Sequence, residues 1–175
     1  NIFKSLIPAP LSGRLRLGIP NEFASTLLPG LIGEFSKRYP DVSLEVTSSL
    51  SRDLLHPSQR DHFDLILALV NPSEDTEGEV VLEDEVVWVG DATRPFVGDS
   101  IPLVLAPDGC MYRSRVIEQL KQQTFAWKIT YTNADLGGLV AAIQQGLGIT
   151  ALARSSLPPN LSPLNHPKLP KLGRV

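Results

Sequence analysis

Leu15, Leu17 and Ile19 alternate with Arg14, Arg16 and Gly18, the period of two that a strand with one buried face requires, and Pro20 ends the run. Beyond a polar loop at Asn21, Leu27, Leu28, Leu31, Ile32 and Phe35 fall on one face of a helix. That helix closes on the basic pair Lys37 and Arg38 ahead of Pro40. Val42, Leu44 and Val46 then alternate with Ser43, Glu45 and Thr47, predicting a second strand. Ser48, Ser49 and Ser51 introduce a short helix over about Arg52 to Gln59. The continuous apolar run Asp64 to Val70 reads as a parallel strand covered on both faces. Strand, helix, strand, helix, strand in this order predicts a parallel βαβαβ sheet.

Asn71 to Gly78 holds no apolar residue and is a loop. Val80 to Gly90 reads as a strand interrupted by Glu83, Asp84 and Glu85, and Asp91 to Ser100 as polar loop. The pattern then restarts: a buried strand at Ile101 to Ala106, a helix within Tyr112 to Thr124, and a strand carrying Trp127, Ile129 and Tyr131 on one face, most simply in the core. Leu136, Leu139, Val140, Ile143 and Leu147 follow at helical spacing, and Gly146 and Gly148 stop that helix before a final strand at Ile149 to Leu152. After Ala153 five prolines and no periodicity predict an extended surface segment. A returning chain is expected to add a strand and helix to close the first lobe, which makes the end at Leu172 to Val175 abrupt.

The expected fold class is therefore α/β, with two Rossmann-like βαβ lobes joined by a hinge in the manner of a type 2 periplasmic binding protein. Residues 14–84 plus 153–175 form lobe I, residues 85–152 form lobe II, and residues 1–13 read as a linker too short and too broken for a signal peptide. Two such lobes describe a hinged protein whose ligand lies between them.

The 175 residues carry 16 Lys+Arg and 19 Asp+Glu for a net charge of -3, with 42% hydrophobic residues. No stretch approaches the roughly 20 apolar residues that cross a bilayer, so no membrane-spanning helix is expected. Without a basic cluster these residues do not coat nucleic acid, since phosphate neutralisation supplies most non-specific affinity. A single cysteine, Cys110, forbids an internal disulfide and suits a reducing compartment.

Residues Arg14 to Val46 (RLRLGIPNEFASTLLPGLIGEFSKRYPDVSLEV) resemble the start of the effector-binding domain of LysR-type transcriptional regulators, where strand, loop, LLP turn, helix ending in Phe-x-x-x-x-Pro and second strand recur in this order. Phe63 to Val70 (FDLILALV), Pro102 to Cys110 (PLVLAPDGC) and Leu139 to Leu152 (LVAAIQQGLGITAL) are similar to three further stretches of the family. The resemblance covers about Arg14 to Leu152 and the proline-rich tail only loosely. It implies a cytoplasmic bacterial sensor: a homodimerising domain that binds a small-molecule effector and no cofactor, and that reaches DNA only through a winged helix-turn-helix domain missing from these residues.

In open α/β lobes, ligands bind beyond the carboxyl ends of the strands. Four loops meet that description. They contain Asn21, Glu22 and Phe23; Thr47, Ser48 and Ser49; Asp108, Gly109, Cys110 and Met111; and Thr132, Asn133 and Ala134. The expected ligand contacts are Asn21, Glu22, Phe23, Thr47, Ser48, Ser49, Cys110, Met111, Thr132 and Asn133, with Ser48, Ser49 and Thr132 favoured because hydroxyls at helix starts suit a carboxylate or phosphate. Plain helix capping is the competing reading of the same hydroxyls. Glu22 suits an effector amine or simply adds a favourable charge at its helix start. Cys110 reads as a small packing residue of the cleft wall, because no neighbour visibly lowers its thiol pKa.

His56, His62 and His166 share no metal-ligand spacing, and no G-x-S-x-G, P-loop or H-E-x-x-H motif occurs. Neither a metal site nor an enzyme is expected. An extracytoplasmic solute-binding protein of a transporter is the alternative with the same architecture, and a small α/β transferase is a weaker one.

Overall fold

A computed structural model describes residues 12–75 and 77–175. Of the expected linker only Ser12 and Gly13 fall inside these ranges, and Gly13 opens the first strand. The chain divides into two compact units, one running to Leu82 and the other spanning Glu83–Val175.

In the first unit, β1 (Gly13–Ile19) is the middle strand of a parallel sheet, flanked by β2 (Val42–Ser48) and β3 (Leu65–Ile66). The central position buries Leu17 and Ile19 completely. The Asn21 loop of the sequence reading is a helix, α1 (Asn21–Thr26), because Pro20 stands before it in extended conformation and its carbonyl accepts the amides of Phe23 and Ala24. A second helix, α2 (Leu28–Arg38), starts one residue later with Pro29 in its first turn, where a missing N–H costs nothing. α3 (Ser51–Leu55) is shorter than predicted, since Pro57 forces His56 out of helical geometry. Of the run from Asp64 to Val70, Asp64 is exposed and Leu65 to Val70 are half-buried rather than covered on both faces, and only its first part pairs, with β1 on one side.

In the second unit, β4 (Val86–Gly90) is buried along its length. It lies between β7 (Thr150–Ala153) and β8 (Ser162–Pro163), antiparallel to both. β5 (Ser100–Leu105) and β6 (Ala126–Thr132) run parallel, and Leu103 bridges Ile149 in parallel just ahead of β7. Two helices connect these strands, α4 (Met111–Lys121) and α5 (Leu136–Gln144), giving the expected βαβαβ order. The GLGI cassette has a steric cause. Gly148 has φ +157°, and a Cβ there would lie 2.5 Å from Pro102 O, the carbonyl that accepts the Ile149 amide.

Three expectations are corrected. Residues 153–175 fall within the second unit, where β8 pairs with β4, Trp88 Nε1 donates to Pro170 O (2.8 Å), and Arg115 Nη1 donates to Leu172 O (2.8 Å) and Arg174 O (2.9 Å). Leu161 and Leu172 are buried, so the tail is not merely a surface segment. The strand predicted from Val80 starts only where Glu85 bridges Arg174; Val80, Val81 and Leu82 are exposed. Trp127 and Tyr131 are half-buried because β6 pairs on one side alone among the described residues, and the core tryptophan is Trp88.

Candidate functional site

The register of the parallel strands decides which loops meet. In the first unit Ile19 pairs with Ser48 and Gly18 with Thr47, and the Ser49 amide donates to Ile19 O (3.2 Å). This places Thr47, Ser48 and Ser49 beside the start of α1, where Asn21, Glu22 and Phe23 stand. Thr47 and Ser48 are exposed, Asn21 and Ser49 half-buried, and Glu22 and Phe23 buried. The expectation of Glu22 as a charge at a helix start is met in position, in the first turn of α1.

None of the predicted serines caps its helix. Leu50 occupies the cap position of α3 without a side-chain bond, and the Ser51 hydroxyl accepts the backbone N–H of Leu69 (2.8 Å). Together with the Leu67 amide on Gly18 O (2.9 Å), this bond draws the chain beyond β3 to the same sheet edge. Sequence reasoning placed Leu67 to Val70 in a strand and did not assign them to that edge, because the bonds that hold them there come from residues distant in the chain.

In the second unit Leu105 pairs with Thr132, and the Asn133 amide donates to Leu105 O (3.3 Å), so the loops after β5 and β6 are neighbours. Cys110 is buried at the N-cap of α4, and its carbonyl accepts the amide (3.1 Å) and hydroxyl (3.2 Å) of Ser114. Met111 begins the helix half-buried. Thr132 is exposed at the strand end. Asn133 is built in: Nδ2 donates to the Tyr131 hydroxyl (3.0 Å) and Oδ1 accepts the Asp135 amide (2.9 Å). A Cβ at position 138 would collide with the Asn133 amide, which accounts for Gly138. Asp135 is the true cap of α5, accepting the Gly138 amide (3.2 Å), which leaves the Thr132 hydroxyl uncommitted to capping.

Arg113 and Arg115, two positions apart on α4, go different ways. Arg115 ties down the tail, whereas Arg113 turns back toward β5, its Nη1 on Ala106 O (3.1 Å) and its Nε 3.1 Å from Asp108 Oδ1. In each of the other ion pairs of the described residues the basic partner is more exposed than Arg113. No group of three or more metal-ligating side chains occurs among the described residues, and no helix there is long and apolar enough to cross a membrane.

Two α/β units, each gathering polar loops at the carboxyl ends of parallel strands, define a two-unit binding domain of the type 2 periplasmic-binding-protein fold. The sequence pattern of the LysR substrate binding domain matches residues 8–170, and the chain belongs to that family. Among curated relatives it is 25% identical over 167 residues to the HTH-type transcriptional regulator DgdR of Burkholderia cepacia, covering 94% of this chain and 56% of that protein. It is 26% identical over 170 residues to PecT of Dickeya dadantii, covering 96% and 54%. The chain thus spans about half the length of these relatives. Among solved structures, the Synechocystis PCC6803 CcmR regulatory domain in complex with 2-PG superposes with a TM-score of 0.70 at 20% identity, covering 91% of this chain and 83% of that one. The cofactor-binding domain of the Cbl transcriptional regulator gives 0.68 at 20% identity, covering 94% and 81%. These relatives are transcriptional regulators, not enzymes, and they do not favour the transporter alternative.

Proposed function

We propose that this chain is the effector-sensing part of a LysR-type transcriptional regulator, binding a small metabolite on the loop surfaces formed by Asn21, Glu22, Phe23, Thr47, Ser48 and Ser49 in one unit and Cys110, Met111, Thr132 and Asn133 in the other. The observation that carries this reading is the register of the parallel strands, which assembles the four predicted loops two by two at the carboxyl edges of the sheets. The exposed hydroxyls of Thr47, Ser48 and Thr132 supply donors and acceptors at those edges, and Glu22 and Phe23 in the first unit and Cys110 in the second are buried in the neighbouring segments.

Binding alone does not make a sensor. An effector shifts the regulator only through different affinities for two arrangements of the protein, and the same coupling free energy then appears in its DNA affinity. The signal would pass to a helix-turn-helix domain outside these residues, in a cytoplasmic homodimer, with no chemistry performed on the effector. The CcmR regulatory domain, solved in complex with 2-PG, supports small molecules as the class to screen.

The test combines a thermal-shift screen of metabolites on the purified chain with operator footprinting of the full-length regulator. We expect at least one ligand that raises the melting temperature to change operator affinity or footprint, and Ser48→Ala with Thr132→Ala to weaken both responses together. A full-length regulator whose operator binding ignores every metabolite that the domain binds would overturn the proposal.

A further inference from the structure

Arg113 brings a cation to a strand edge where sequence reasoning placed none. Its guanidinium is fixed at two points: Nη1 donates to Ala106 O (3.1 Å), the carbonyl just beyond β5, and Nε lies 3.1 Å from Asp108 Oδ1. The two partners differ sharply in exposure, 17% for the Arg113 side chain against 96% for Asp108. Nε itself is buried and lacks an aligned hydrogen bond, so its attraction to Asp108 is charge-to-charge contact without the directed bond that normally accompanies it. A planar guanidinium offers five N–H donors in a fork that matches a carboxylate or phosphate. Here only Nη1 is committed to a backbone carbonyl among the described residues.

We propose that Arg113 is the anion-recognition residue of this domain and that Asp108 is an internal counter-ion displaced when the oxyanion of a ligand arrives. The inference rests on the sensing reading and narrows its ligand to molecules bearing a carboxylate or phosphate. Ala106 O holds the guanidinium in place before any ligand arrives, which reduces the ordering cost of binding. A carboxylate as exposed as that of Asp108 is solvated on most sides and holds its partner weakly, so a competing oxyanion displaces it at small cost. The pairing of Leu105 with Thr132 sets this loop beside Thr132 and Asn133, whose polar groups suit the remainder of such a ligand.

The test is a titration of the purified 15N-labelled chain with sodium phosphate, and separately with sodium acetate, at constant ionic strength, following the backbone amide resonances of residues 108–113 and 132–133 in parent and variants, with the Arg113 Nε–Hε resonance as a further probe in the parent. We expect a saturable shift, lost in Arg113→Gln and weakened in Arg113→Lys. Asp108→Asn should tighten binding about threefold, the scale set by removing one exposed ion pair. The stronger of the two anions identifies phosphate or carboxylate as the preferred group. The proposal falls if Asp108→Asn leaves affinity unchanged or lowers it, if the arginine variants bind as the parent does, or if shifts are uniform and do not saturate. Should Arg113→Gln fail to fold, as circular dichroism would reveal, Arg113→Lys and Asp108→Asn decide between these outcomes. Because phosphate is the probe, failure of the sensing reading has a separate signature: intact Arg113-dependent phosphate binding in a regulator whose operator affinity no metabolite alters.

Discussion

The two units carry similar strand-helix alternations on different foundations. In the first unit the sheet has one deeply buried strand, β1, with Leu17 and Ile19 at its centre, while β2 is largely exposed and the chain around β3 only half-covered. In the second unit β4 is buried throughout, and β5, α4, α5 and β7 contribute Val104, Val116, Ile143 and Leu152 to one core. Because apolar burial is the dominant favourable term in folding, the second unit is the firmer scaffold and the first the more deformable one. That difference suits a sensor in which one surface adapts while the other holds its geometry.

The largest test of this contrast is Trp88→Ala. Trp88 is 4% exposed and its indole N–H binds Pro170 O, joining the β4 sheet to the tail. We expect a loss of about 3–5 kcal/mol, the range for aromatic truncation in a core, measured by urea unfolding. Hydrogen exchange should then speed up in β4, β7 and β8 well before it does in β1. A uniform acceleration through both units would dissolve the distinction.

Polar anchors give a smaller and more discriminating test. Ser51→Ala removes the acceptor for the Leu69 N–H, whereas Asp135→Ala removes a local helix cap. Each should cost about 1 kcal/mol, by loss of a hydrogen bond in the first case and of a cap in the second. The effects should differ in reach: Ser51→Ala loosens residues 67–70, far away in sequence, while Asp135→Ala frays only the first turn of α5. Amide exchange at Leu69 and Gly138 separates the two.

The smallest effect is one of pH. The Asp64 carboxyl is held below the usual carboxylate range by hydrogen bonds from the Arg16 guanidinium and backbone N–H, and Thr93 does the same to Asp91 in the second unit. A carboxyl with a folded pKa below its unfolded value of about 3.9 contributes its full stabilisation above that value, and the contribution disappears as pH falls through the folded pKa. Urea midpoints between pH 7 and pH 2.5 should therefore fall more steeply below pH 4 for the parent than for Asp64→Asn and Asp91→Asn. Equal slopes would remove these pairs from the account of acid stability.

Much of this architecture was legible in the chain. Alternation at Leu15, Leu17 and Ile19, helical spacing at Leu136 to Ile143, and GLGI as a stop reflect local rules of backbone geometry and face burial, which act over a few residues. They located most strands and helices and the chain segments at the strand ends, although the Asn21 segment is a helix and not a loop, and with the family resemblance they indicated the fold class. Boundaries shifted where a proline acted, at Pro20, Pro29 and Pro57, because its missing N–H and fixed φ override periodicity.

Only the tertiary structure decided what depends on distant partners. Strand register set Thr47 and Ser48 beside α1; the Leu69 amide claimed Ser51 from eighteen positions away; Trp88 and Arg115 drew the proline-rich tail into the second unit; and the Ala106 carbonyl turned Arg113 back to its strand edge. Hydrogen bonds and charges pair by proximity in space, and a one-dimensional pattern records which groups can pair without recording which of them meet.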